Sequence, residues 1–154
     1  MPDAAGVEQW RLADLEHGWP RLDATQSGQW TPQQLSLDRL RAYSVKKGCY
    51  PGQEIVARTH FLGQAKRGLA LIRSTEPLAA GADLSTGGTV VGTPVSVCGY
   101  SALAVLPLDL QSQAIDSNAR SVPAADPIVP QTDESPAASG ASWSIEPLRA
   151  GLAR

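Results

Sequence analysis

The sequence predicts an α+β fold: a helical first part, a small antiparallel β-barrel, and a disordered, low-complexity tail. Three observations carry this. Residues 3–17 have helix end signals around a rough apolar stripe. From Lys66 onward the texture changes to short apolar runs separated by glycines. In residues 111–154 five prolines lie among many alanines and serines, with no apolar period before Trp143. The boundaries are therefore set at 1–65, 66–110 and 111–154.

The first helix has Asp3 as its cap, Val7, Trp10 and Leu15 on its stripe, Gly18 at its end, and Pro20 to block continuation. Residues 18–30 read as irregular. Thr31, Pro32 and Gln34 carry the signals of a helix start, predicting a short helical or turn segment through Leu35, Leu37 and Leu40. Arg67 to Ile72, Thr89 to Cys98 and Ala102 to Leu108 are the candidate strands, the second broken by Gly92 and Pro94. Gly81, Gly87, Gly88 and Gly99 supply turns. So short a set of strands is small for a free-standing fold and is expected to pack on the helical part.

Composition excludes several classes. The 154 residues hold only two cysteines, Cys49 and Cys98, which is no disulfide framework. No leader or apolar run of membrane-spanning length is read, so the cytoplasm is the default and no membrane partner is expected. The formal net charge is -2, yet residues 35–67 hold seven Lys/Arg against two Asp/Glu. A local basic segment in an acidic chain points to an anionic ligand there, or to a solvated face.

That segment contains Lys46-Lys47-Gly48-Cys49-Tyr50-Pro51-Gly52-Gln53-Glu54, followed by a plausible helix over 55–60. Glycines on both sides of the cysteine allow tight turns or close approach of a ligand. Two lysines before it, and a helix N-terminus after it, favour the thiolate and an anion. The plainer reading of a lone cysteine is a small buried hydrophobe. Arg58, four residues after Glu54, suggests a helical ion pair worth about 0.3–0.5 kcal/mol. Gln53 and Glu54 read as caps or as ligand-orienting groups, and Tyr50 as a packing or stacking ring. His17 and His60 have no metal-ligand spacing, no metal site is read, and Cys98 is expected in the core.

The string from Lys47 to Glu54 resembles the K-G-C-Y-x-G-Q-E signature of the YgfZ-type folate-binding family. The likeness extends over Arg11 to Pro20, Pro32 to Leu37, Val56-Ala57-Arg58, Lys66-Arg67, the Gly92 region and Ala102-Leu103-Ala104. It covers roughly residues 10–108, the later part of a family member. The resemblance implies a fold similar to the glycine-cleavage T-protein, with residues 1–65 as a remnant of the folate-binding region and 66–110 as the C-terminal barrel. It implies an accessory role in assembling or repairing iron–sulfur clusters, with an effect on tRNA modification through an iron–sulfur enzyme. Iron–sulfur enzymes or cluster-assembly proteins are the implied partners, and tetrahydrofolate is the implied cofactor. Cys49 is the implied reactive residue, with Lys47, Gly48, Tyr50, Gly52, Gln53, Glu54 and Arg58 around it. Most of the folate-wrapping half is expected to be missing, leaving an apolar surface prone to association.

Three other readings stand beside this one. A folate-dependent aminomethyltransferase rests on fold analogy alone. Direct nucleic-acid binding is not expected, because the basic stretch carries only Tyr43, Tyr50 and Phe61 as aromatics. An inactive truncated fragment is the last.

Overall fold

The computed structural model describes residues 3–63, 65–120 and 142–149. Helix α1 (Ala4–Glu16) opens with the Asp3 carboxylate accepting from the Ala5 amide and closes at its C-cap His17, just before Gly18. Strands β1 (Arg67–Ser74), β2 (Leu84–Thr86), β3 (Thr89–Cys98) and β4 (Ser101–Pro107) follow. Helix α3 (Leu108–Arg120) continues directly from β4, and β5 (Trp143–Glu146) returns to the sheet. Helix α2 (Gln53–Leu62) stands between α1 and β1 in the chain.

The strands form one antiparallel sheet in the order β2-β3-β4-β1-β5. It curls until its two edges approach, and the Trp143 indole N–H of β5 donates to the Ser85 carbonyl of β2 at 3.1 Å. The result is a half-barrel closed by a side chain. Successive residues of a strand face opposite sides, and here both sides are covered. Leu69, Leu71, Leu103 and Val105 pack outward with Leu15, Leu35 and Val95. Ala70, Ile72, Ala102, Ala104 and Leu106 fill the inside of the curl with Leu84. This is why β1 and β4 read as continuous apolar runs rather than alternating ones. Each large aliphatic side chain so buried contributes about 1.5–3 kcal/mol.

Two irregularities in β3 shape the curl. Pro94 lacks an amide to donate, and the β3–β4 register shifts between Pro94 and Ser96 to accommodate it. At Gly92 an added β-carbon would lie 2.3 Å from Leu106 Cδ2 and 2.6 Å from the Val105 carbonyl oxygen, so β3 and β4 approach only because this residue has no side chain.

The helical part is stitched to the sheet by polar contacts. The Ser96 hydroxyl accepts from the Arg21 amide at 2.7 Å and donates to the Arg21 carbonyl at 2.8 Å. The Arg21 guanidinium pairs with the buried carboxylate of Asp14 and lies 4.9 Å from the Trp10 ring centre. Arg73 pairs with Glu146 at 2.8 Å and Glu16 at 3.6 Å, and Arg149 pairs with Glu16 at 2.8 Å. Four charges thus join α1, β1 and the segment around β5.

The α+β architecture and the antiparallel curl agree with the sequence reading; the tail does not. Part of 111–154 is ordered: α3 runs through it, and β5 pairs with β1 from Leu71↔Glu146 to Ser74↔Trp143. Trp143 and Ile145 pack into the inner core, and Leu148 packs against the outer one. The remaining tail residues, 121–141 and 150–154, lie outside the described residues.

Candidate functional site

The segment from Thr31 to Ala42 sets up the site. Gln34 Oε1 accepts from the Thr31 amide at 2.9 Å, and Thr31 Oγ1 accepts from the Gln34 amide at 3.3 Å. The start signal is real, but no helix follows. Ser36 and Arg41 have φ of +50° and +52°, a left-handed backbone rare outside glycine. Each ends a single turn. The Leu37 amide reaches the Pro32 carbonyl and the Ala42 amide reaches the Leu37 carbonyl, both at 3.0 Å. This is the pattern that terminates helices, used twice between Pro32 and Ala42. The first reversal aims Ser36 Oγ at the Leu69 amide of β1, 2.9 Å away. The second brings Arg41 alongside the loop that carries Cys49.

That loop is tied by the residues of the motif. The Tyr50 hydroxyl donates to the Ser44 carbonyl at 3.0 Å, and Gln53 Nε2 donates to the Lys47 carbonyl at 3.0 Å. The Gln53 amide closes a turn on the Tyr50 carbonyl at 3.1 Å. Gly52 sits at φ +82° as the N-cap of α2, a conformation that glycine adopts without strain. Lys47, Tyr50, Gly52 and Gln53 therefore set the loop's shape. Cys49 itself is a free, exposed thiol. The reading of Cys49 as a buried hydrophobe is overturned by this exposure.

Other expectations are corrected in detail. Gln53 does not cap α2 by its side chain, which is committed to Lys47. Glu54 and Arg58 form no ion pair among the described residues; the pairs present all involve Arg21, Arg73 or Arg149. Both are exposed on α2, where water offers charges more than one another does. Gly48 has open space around it, with nothing within 4 Å of an added β-carbon. Cys98 is half-buried against the outer core, its Sγ 3.8 Å from the Glu8 carbonyl oxygen. Burial, and then the Glu8 carboxylate, push its thiol above the ordinary range.

Beside Cys49 in sequence lies a cleft of about 270 Å³ lined by Arg41, Ala42, Tyr43, Ser44, Lys47 and Tyr50. Tyr43 and Tyr50 are half-buried, while Arg41 and Lys47 are exposed at the rim. Burial, then Asp38, then Tyr50 push the Tyr43 phenol upward. Arg41 and Ser44 are not singled out by the sequence, because only the left-handed turn at Arg41 brings them to Lys47 and Tyr50.

Helix α2 is held lightly. Val56 is its buried residue, and Gln33 Nε2 donates to the Val56 carbonyl at 2.8 Å. Ile55, Phe61 and Leu62 are 59%, 69% and 83% exposed, giving α2 an open apolar face next to the cysteine loop. No protein-family model matches the chain.

Proposed function

We propose that this protein is an accessory factor for iron–sulfur enzymes of the YgfZ type, acting through the Cys49 sulfur on a cluster or sulfur-bearing partner. The observation that carries the reading is the division of labour within 47–54. Lys47, Tyr50, Gly52 and Gln53 spend their hydrogen bonds and backbone freedom on shaping the loop, and the cysteine they shape is left exposed. An exposed thiol contributes little to packing, so a loop built to present it fits a chemical role better than a structural one. The lightly held α2, which follows the cysteine loop in the chain, gives a macromolecular partner an exposed apolar face.

Cys49 serves as a transient ligand or nucleophile. Tetrahydrofolate, the cofactor that the resemblance implies, is larger than the 270 Å³ cleft. The described residues alone do not enclose it. The test is repair in vitro. Purified chain is added to an oxidatively damaged iron–sulfur enzyme with iron, sulfide and reductant. Faster recovery with the parent than with Cys49→Ala supports the proposal, and equal recovery overturns it.

A further inference from the structure

We propose that the cleft between Arg41 and Tyr50 binds a flat ring bearing one phosphate group, the size of a nucleoside monophosphate. Its walls carry two kinds of group that recognise the two halves of such a ligand. Tyr43 and Tyr50 offer half-buried rings for stacking. Arg41 and Lys47 offer a guanidinium fork and an ammonium at the rim, and neither takes part in an ion pair among the described residues. Two uncommitted cations suit a dianion better than a carboxylate, and an arginine fork matches phosphate oxygens.

The size of the cleft limits the ligand. Sites for drug-sized molecules run to roughly 300–1,000 Å³. At about 270 Å³ this one holds a ring and a single phosphate, with the remainder in solvent.

The backbone fixes where the guanidinium lies. Arg41 holds φ +52°, where glycine would sit without strain. The left-handed turn closes the Ala42 amide on the Leu37 carbonyl and, in doing so, delivers the Arg41 cation to the rim. The loop is also fixed without ligand, by the Tyr50–Ser44 and Gln53–Lys47 bonds. Pre-forming the cleft in this way lowers the ordering cost of binding. Cys49 does not line the cleft, so ligand binding there is separate from chemistry at the thiol.

The experiment is calorimetric titration of the full chain with adenosine 5′-monophosphate, adenosine and inorganic phosphate in turn. The monophosphate is expected to bind at least about ten-fold more tightly than either half, and to weaken as salt rises. Arg41→Gly and Lys47→Ala should each weaken it about ten-fold, while Cys49→Ala leaves it unchanged. Arg41→Gly relieves strain, so its melting temperature is expected to be no lower than the parent's, and lost binding is then not lost folding. Absence of saturable binding by the parent would overturn the proposal. So would equal affinity for adenosine, or parent-like binding by a folded Arg41→Gly. If Cys49→Ala binds normally but fails in repair, the two sites are separate. If the parent repairs the enzyme without binding the monophosphate, the cleft assignment alone fails.

Discussion

Replacing Gly92 by alanine tests the closeness of β3 and β4 with a single methyl group. The new β-carbon would lie 2.3 Å from Leu106 Cδ2 and 2.6 Å from the Val105 carbonyl oxygen. The leucine methyl could turn away only into the packed inner core, because Leu106 is fully buried inside the curl. The carbonyl is β4 backbone and can move only by disturbing a strand paired on both sides. Overpacking typically costs about 1–3 kcal/mol, and a backbone clash belongs in the upper half of that range, about 2–3 kcal/mol. For a domain of this size roughly 3–5 °C is lost per kcal/mol, so the melting temperature should fall by roughly 6–15 °C. Thermal unfolding followed by circular dichroism reads this directly. Gly48→Ala is the control, because its β-carbon meets nothing, and it should stay within about 0.5 kcal/mol of the parent. A fall of less than about 2 °C for Gly92→Ala would refute the close approach of the two strands.

Three more outcomes are expected. Trp143→Phe keeps a ring in the inner core but removes the donor to Ser85 across the seam, and should cost about 0.5–1.5 kcal/mol in urea unfolding. Cys49 should be alkylated in the native protein well before the half-buried Cys98, as read by mass spectrometry of the two peptides. Burial, and then Glu8, hold the Cys98 thiol above its ordinary value of 9.0 in the folded state. Its contribution to stability is therefore complete below that pH and lost as pH rises through the folded value. The urea midpoint should fall more steeply above that pH in the parent than in Cys98→Ala.

The sequence was most informative where local rules decide the outcome. The Asp3 cap and the Gly18 stop bracket α1 to within a residue, because both act through their own neighbours. The strand over 89–98 was found despite Gly92 and Pro94, since the register shift absorbs the proline. The short β2 carries no readable pattern of its own, and β5 is hidden inside a Pro/Ala/Ser stretch. Four residues carry too short a pattern, and β5 exists by pairing with Leu71 to Ser74, some seventy residues away by number. The double turn over 31–42 is half legible: Thr31 and Gln34 announce a helix start, but nothing local announces left-handed conformations at a serine and an arginine.

The candidate site divides in the same way. Cys49 and its motif stand out as a string, and the ties from Tyr50 and Gln53 explain why those residue types are needed there. Glu54 and Arg58 have the spacing of an ion pair but point into water on a lightly held helix. Arg41 joins the cleft only through the chain reversal, so spacing alone could not have found it.

The most direct test of the central claim is complementation. The chain is expressed in cells lacking their YgfZ-type protein, beside Cys49→Ala and Cys98→Ala at matched soluble levels, and a dependent iron–sulfur enzyme is assayed. Rescue by the parent and Cys98→Ala but not by Cys49→Ala is the predicted result. Equal rescue by Cys49→Ala, or no rescue by soluble parent, would contradict a role exercised through Cys49.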